Sequence, residues 1–157
     1  MKAKTNVMRM LDAAKIEYVP MEYEVDENNL AGTHIADEIG LPYEQVYKTL
    51  VARGDKTGPV VLVIPCDLEI DLKKAARETG NKRIEMIAVK DLLALTGYIR
   101  GGCSPIGMKK KFPTYVSDFV ELQDKITVSA GVRGIQLLLD AKTLIDFVGA
   151  KCADITI

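Results

Sequence analysis

The feature that most restricts the fold is a run of five apolar residues at positions 60–64, Val-Val-Leu-Val-Ile. Gly58 and Pro59 precede the run and Pro65 follows it. A continuous apolar stretch of this length between turn residues is typical of a strand that is covered on both faces. The turn-forming residues at positions 54–59 predict a hairpin that joins this strand to an earlier one at 46–51.

Strands and helices are predicted to alternate along the remaining sequence. Thr5, Thr33, Asp71 and Asp140 are plausible N-caps. Helical spacing and glycine stops predict helices near residues 5–14, 33–40, 72–79, 89–95 and 141–148. Further strands are expected near residues 16–23, 84–87, 114–117, 126–129, 135–139 and 153–157. No linker divides the 157 residues, so we predict one mixed α/β domain spanning 1–157.

Composition excludes several classes of protein. No apolar run could cross a bilayer, and residues 1–4 do not begin a signal peptide. Three widely spaced cysteines and a single histidine disfavour disulfides, a zinc site and a histidine triad, so we expect a cytoplasmic protein without a metal. GxGxxG, P-loop and GxSxG motifs are lacking, and we expect no cofactor. A net charge of −1 limits any RNA contact to a local surface.

Lys48 lies inside the predicted strand at 46–51. Alternation places it on the same face as Val46 and Leu50, so an inward-facing apolar side would carry the lysine inward. Lysine is seldom buried unless it is paired or functional. The alternative is an edge strand on which lysine discourages pairing with other chains. The residues alone leave both interpretations open.

Residues 97–108 combine four glycines with Ser104 and Pro105 and run into Lys109, Lys110 and Lys111. Exposed backbone N–H groups next to positive charge suit an anionic or carbonyl-bearing ligand. A tight connection with a solvated basic flank explains the composition equally well. The cations on the predicted helix at 72–79 are likewise either a solvated face or a supplement to a phosphate-binding surface.

The remaining reactive side chains have simpler interpretations. His34 falls in a first helical turn without an apparent partner and is expected to lie at the surface or in packing. Cys103 lies within the glycine-rich loop, but no histidine base accompanies it, so we interpret it as a small wall residue. Cys66 and Cys152 are interpreted as packing residues.

Four motifs occur in an order that resembles the YbaK/EbsC family. They are Gln45-Val46-Tyr47-Lys48-Thr49-Leu50, Asp71-Leu72-Lys73-Lys74, Gly97-Tyr98 with Gly101-Gly102-Cys103-Ser104-Pro105-Ile106-Gly107, and Ser129-Ala130-Gly131 with Arg133-Gly134. The resemblance runs from about residue 8 to residue 155. It implies an α/β fold built on a mixed, barrel-like sheet, shared with the editing domain of bacterial prolyl-tRNA synthetases.

The resemblance also implies a function, which is trans-editing by hydrolysis of cysteine mischarged onto proline tRNA. Lys48 corresponds to the family's signature active-site residue. The aminoacyl pocket would be lined by Tyr23, Gly101, Gly102, Ser104, Pro105, Gly107 and Ser129. In relatives that act on cysteinyl-tRNA the substrate's own thiol is thought to attack the ester, and prolyl-tRNA synthetase is the expected partner.

Gln136 departs from the acidic residue that close relatives carry two positions after the Arg-Gly pair. An amide accepts a hydrogen bond but offers no anionic partner to a substrate ammonium. A deacylase of sibling specificity, for alanine or serine esters, is therefore an alternative to one that acts on cysteine esters. A non-catalytic module that binds tRNA or the synthetase is an alternative of a different class, whereas a haem-type binding protein has little support.

Overall fold

The predicted apolar run lies at the centre of a five-stranded mixed sheet. The structure, a computed structural model, describes residues 4–157; residues 1–3, on which the expectation about a signal peptide partly rests, lie outside the described residues. The helices are α1 (Asn6–Ala13), α2 (Gly32–Ile39), α3 (Leu72–Thr79), α4 (Val89–Thr96) and α5 (Ala141–Val148). The strands are β1 (Val19–Glu22), β2 (Tyr47–Gly54), β3 (Gly58–Pro65), β4 (Ile84–Met86), β5 (Thr114–Ser117), β6 (Lys125–Ser129), β7 (Ile135–Asp140) and β8 (Lys151–Ala153).

The strands form two sheets with the orders β4-β2-β3-β5-β8 and β1-β7-β6. β2 and β3 form the predicted antiparallel hairpin, while β5 runs parallel to β3 and β8 parallel to β5. The expected mixed α/β fold is confirmed. The strands that the resemblance assigns to one barrel-like sheet are divided between the two sheets, which touch at a bridge between Val46 and Thr127.

Two clusters of buried side chains explain why β3 is apolar on both faces. Val61 and Val63 point into the larger core between the sheets, together with Val7, Leu11 and Leu137. Val60, Leu62 and Ile64 point to the opposite face, where α3 contributes Ala75 and Ala76. Alternate residues of one strand thus lie in different cores.

Most predicted helix ends are confirmed by their caps. Thr5, Asp71 and Asp140 accept hydrogen bonds from backbone N–H groups in the first turns of α1, α3 and α5. The cap predicted at Thr33 is wrong, because α2 begins at Gly32 and its N-cap, Ala31, makes no side-chain bond. The last strand is also misplaced: β8 covers 151–153, and Thr156 makes only an isolated bridge to Ile70.

Candidate active site

A gap along one edge of β2 opens into a cavity with a volume of about 500 Å³. On this edge, β4 pairs with β2 at 52–54 and the Ile87 N–H donates to the Val51 carbonyl at 3.2 Å, while β6 bridges to Val46 just before β2. The stretch of β2 between these contacts therefore lacks a neighbouring strand on that side. The cavity is lined by residues 30–33, Ile35, residues 46–51, Cys66, Asp67, Glu69, Met86, Ile87, Val89, Leu92, Arg100, Gly101, Cys103, Ser129 and Gln136.

Lys48 lies on this wall, with its side chain 24% exposed. Its Nζ is 3.5 Å from Oε1 of Glu69, whose side chain is 76% exposed. An ion pair with so exposed a carboxylate contributes little and separates easily. The ammonium group can therefore turn to an anionic ligand, which is the use expected of a lysine held inside a strand.

The backbone of β2 adds hydrogen-bonding groups to the same wall. The Val46 carbonyl accepts from Cys66 N–H at 2.8 Å, on the β3 side. Since antiparallel pairing alternates direction, the N–H and C=O of Thr49 point to the opposite side, towards the open edge. The Thr49 hydroxyl is buried without a hydrogen-bond partner in the described structure. A bound ester or amine could satisfy these groups.

The glycine-rich loop forms the facing wall through Gly101 and Cys103. Gly101 has a φ of +85°, which a side chain rarely adopts. Gly102 lies against the backbone of Val132 and Arg133, where a Cβ would come within 3.1–3.3 Å. The Arg133 Nε–H donates to the Arg100 carbonyl at 2.8 Å. These contacts hold the loop against the turn that follows β6.

Three predicted residues of the same loop lie elsewhere. Ser104 is fully buried, and its hydroxyl accepts from Ile106 N–H at 3.3 Å. Pro105 and Gly107 line a second cavity of about 260 Å³ together with Lys110 and Lys111. Of the loop residues, Gly101 and Cys103 line the active-site cavity, whereas Gly102 lies against the turn after β6 and is not part of the lining.

Ser129 and Gln136 face the cavity from a pair of adjacent strands. They are directly opposite each other in the β6–β7 register, and both are buried. The Ser129 hydroxyl accepts from Gly131 N–H at 3.1 Å, and the Gln136 Oε1 accepts from the Thr127 hydroxyl at 3.1 Å. Tyr23, the remaining predicted residue, lies just after β1, where its backbone N–H donates to the Gly134 carbonyl, outside the cavity lining.

The start of α2 is a part of the site that the sequence did not predict. Gly32 and Thr33 line the cavity, and the first-turn N–H groups of a helix lack intrahelical partners. Gly32 permits this approach, because a Cβ there would lie 2.6 Å from the Cβ of Cys66. His34 points away from the cavity lining, and its Nε2 is 3.7 Å from Oε1 of Glu38. The sequence signal is Gly32 itself, which directly precedes the predicted helix at 33–40.

An apolar wall from β4 and α4 was also missed. Met86, Ile87, Val89 and Leu92 line the cavity, and only Thr96 of α4 is buried. Val89 is 63% exposed and Leu93 53%. These apolar side chains of α4 are solvent-exposed beside a cavity. An exposed apolar helix face of this kind is the signal that identifies the wall.

The two thiols in the cavity wall are poor nucleophiles. Burial raises the pKa of Cys103 to about 12 and that of Cys66 to about 11. Since the thiolate is the reactive form, both side chains are protonated near neutral pH. Within residues 4–157 no cluster of three potential metal ligands occurs, and none of the described helices is long and apolar enough to cross a bilayer.

Comparison with known proteins gives a consistent match along the chain. A family model described as "Aminoacyl-tRNA editing domain" matches residues 31–147. The sequence is 48% identical over 153 residues to the Enterococcus faecalis protein named "Putative Cys-tRNA(Pro)/Cys-tRNA(Cys) deacylase EbsC", covering 98% of this chain and 93% of that one.

Two further matches are more distant. Proline–tRNA ligase of Thermodesulfovibrio yellowstonii is 29% identical over 114 residues, which is 73% of this chain and 18% of the ligase. A solved structure titled as a putative trans-editing enzyme for prolyl tRNA synthetase superposes with a TM-score of 0.81 at 22% identity, covering 99% of each chain. At that identity the superposition establishes the fold.

Proposed function

We infer that this chain is a deacylase, because it belongs to the aminoacyl-tRNA editing domain family. We propose that it hydrolyses the ester of cysteine mischarged onto proline tRNA and that it also hydrolyses Cys-tRNA(Cys). The observation that carries the proposal is the 48% identity to a relative named for these substrates, over nearly the whole chain. Catalysis of this kind takes place in the cytoplasm, where tRNA is aminoacylated.

The cavity supports a mechanism in which the protein positions and stabilises but does not attack. Cys66 and Cys103 are protonated thiols, as their raised pKa values require. Lys48 supplies a mobile positive charge for the developing oxyanion or the terminal ribose and phosphate. Thr49, Gly101 and the first residues of α2 all line the cavity and bring backbone N–H groups to it. Each such donor is typically worth a few kcal/mol in the transition state.

In the proposed reaction the nucleophile is the thiol of the substrate cysteine. Its sulfur forms a bond to the ester carbonyl carbon, the bond to the ribose oxygen breaks, and the thiol proton is transferred to that oxygen. The products are tRNA with a free terminal hydroxyl and a cyclic thioester, which water opens to cysteine. An intramolecular attack needs only correct orientation, which a preorganised cavity provides.

A panel of mischarged proline tRNAs tests this proposal. We expect release of cysteine to be much faster than release of serine, because serine has the same shape but a far weaker nucleophile. An S-methylcysteine ester, whose sulfur has no proton to transfer and cannot form the neutral thioester, should be released far more slowly than the cysteine ester if the route is intramolecular. Equal rates for serine and cysteine would contradict the role of the thiol, and release of none of cysteine, serine and alanine would contradict the deacylase function.

Gln136 supports a second candidate, which is a deacylase with alanine or serine as its preferred amino acid. Its Oε1 is already occupied by the Thr127 hydroxyl at 3.1 Å, so the buried amide presents no anionic partner to the substrate ammonium. The same panel distinguishes the two candidates. Faster release of alanine than of cysteine would favour the second.

We further propose that prolyl-tRNA synthetase is the protein partner. A proline–tRNA ligase contains a segment similar to this chain within its own sequence, and a chain of net charge −1 would gain from being recruited to newly charged tRNA. Co-sedimentation with the synthetase in the presence and absence of proline tRNA tests this. A lack of association in both conditions would contradict it.

A further inference from the structure

A second basic surface lies at the other end of β2 from Lys48. It surrounds a groove of about 510 Å³ between the start of α3 and the edge strand β4. Four exposed cations line this groove, which we call the basic edge groove: Arg53, Lys73, Lys82 and Arg83. The ion pairs of the described residues all involve other side chains, so these four cations have no carboxylate within 4.0 Å.

The two acidic residues of the basic edge groove do not neutralise it. Asp55 Oδ1 accepts the backbone N–H groups of Lys82 and Arg83 at 2.9 and 3.1 Å. These bonds hold the pKa of Asp55 below its usual range and fix the chain that carries the two cations. Glu85 is the other carboxylate, opposite Arg53 in the β2–β4 pairing. The surface keeps an excess of positive charge on a chain whose net charge is −1.

The basic edge groove adjoins the active-site cavity along β4, although the two share no lining residue. Met86 lines the cavity and its neighbour Glu85 lines the groove. Arg53 is five positions after Lys48, which corresponds to about 17 Å along an extended strand and places the two side chains on opposite faces of β2. Met86 is 41% exposed and Leu72 45% exposed, so apolar surface lies between and beside the two sites. A ligand that extends from Lys48 over this surface reaches the groove directly.

We propose that the basic edge groove binds phosphates of the acceptor end of the tRNA whose terminal ester lies at Lys48. A single RNA strand presents regularly spaced anions with bases between them, which matches separated cations with apolar surface between them. The inference rests on the proposed deacylase function. The lysine run at 109–111 is less suitable, because Lys110 and Lys111 line a cavity in which no lining residue is adjacent in sequence to one that lines the active site.

Removing two cations from the groove separates phosphate binding from chemistry. In Lys82→Ala/Arg83→Ala, the backbone N–H groups that Asp55 accepts are retained. We expect KM for Cys-tRNA(Pro) to rise with kcat unchanged, whereas 3′-O-cysteinyl adenosine, which has no phosphate, should be hydrolysed as by wild type. Lys142→Ala/Lys151→Ala removes the same charge from exposed positions on α5 and β8 and is the matched control.

Salt dependence gives the expected size of the effect. Each single-strand phosphate contact contributes a slope of about −0.7 in log affinity against log salt, so two contacts account for about sevenfold between about 50 and 200 mM salt. The variant should lose that part of the dependence. An unchanged KM for tRNA, or an equal loss on both substrates, would overturn the groove assignment.

A direct measurement of RNA binding tests the groove assignment separately from the deacylase proposal. Fluorescence anisotropy with an uncharged acceptor-stem hairpin ending in CCA measures the groove without catalysis. We expect weaker and less salt-dependent binding to the groove variant than to the control variant. If wild-type protein hydrolyses neither ester but the hairpin result holds, the deacylase proposal fails and the groove stands; if the two variants bind the hairpin equally, the groove assignment fails.

Discussion

Gly102→Ala tests whether the active-site loop depends on close contact with the turn after β6. A Cβ at Gly102 would lie 3.1 Å from the carbonyl carbon of Val132 and 3.2 Å from the backbone nitrogen of Arg133. Ordinary contacts between heavy atoms are about 3.5–4.0 Å, so the two backbone segments must separate by about 0.4 Å. The contacting atoms belong to the backbone, so they cannot relieve the contact by a change of side-chain rotamer. Gly102 has no positive φ, so the contact itself is what the variant perturbs.

The expected cost has two parts. Overpacking of this kind typically destabilises a protein by about 1–3 kcal/mol. Displacement of the adjacent Gly101 and Cys103 from the cavity wall should reduce kcat/KM by roughly tenfold, since a misplacement of about 1 Å can cost about a hundredfold. Urea unfolding measures the first part, and deacylation of Cys-tRNA(Pro) measures the second.

Gly80→Ala is the matched control. Gly80 has a φ of +79° and open space around its Cβ position, at the end of α3. Alanine in the left-handed conformation costs about 1–2 kcal/mol, so this variant should lose similar stability and retain activity. Wild-type stability and activity in Gly102→Ala would refute the close-contact account. Equal activity losses in both variants would show that lowered stability alone is responsible.

The remaining predictions concern caps, thiols and a loop hydrogen bond. Asp71→Ala removes the acceptor for two N–H groups of α3 and should lower the free energy of unfolding by about 1 kcal/mol in urea titrations, with an unchanged value counting against the cap. Burial raises the pKa of Cys66 to about 11, so the folded state binds the thiol proton more tightly than the unfolded state does. The resulting contribution to the free energy of unfolding is complete below about pH 9. It falls as the pH rises towards 11, by up to about 1.4 kcal/mol per pH unit. Cys66→Ala should lose that slope in urea titrations at a series of pH values, whereas an unchanged slope would contradict the thiol's burial. Tyr98→Phe removes the donor to the Ile106 carbonyl and should destabilise the protein by about 1–3 kcal/mol by leaving that carbonyl unpaired; a melting temperature equal to that of wild type would contradict this.

Local chemistry made much of the fold predictable. Asp71 and Asp140 cap helices because a side-chain oxygen before a helical run satisfies N–H groups within a few residues, so the relevant partners are in the same short segment. The apolar composition of residues 60–64 is enough to predict that both faces of this strand are buried. Thr33 misled the prediction for a tertiary reason: α2 begins one residue earlier, where Gly32 packs closely against Cys66.

The active site was predictable only in part. Lys48 could be identified as unusual, because a charged residue interrupts an apolar strand, but the opening beside it depends on where β4 stops pairing with β2. The glycine-rich loop carried no sign that Gly101 faces the large cavity while Pro105 and Gly107 face another. Which loop residues line which cavity depends on the path of the folded backbone, and no periodic pattern in the sequence indicates it.

The central claim is that Lys48 supplies the essential charge for deacylation, and it is tested by single-turnover release of cysteine from Cys-tRNA(Pro). Lys48→Ala should reduce the rate by at least about a hundredfold, the typical cost of removing one stabilising donor, while its urea unfolding curve remains close to that of wild type. Lys151→Ala, which removes an exposed lysine on β8, should behave as wild type. Wild-type release of cysteine by Lys48→Ala would contradict the account.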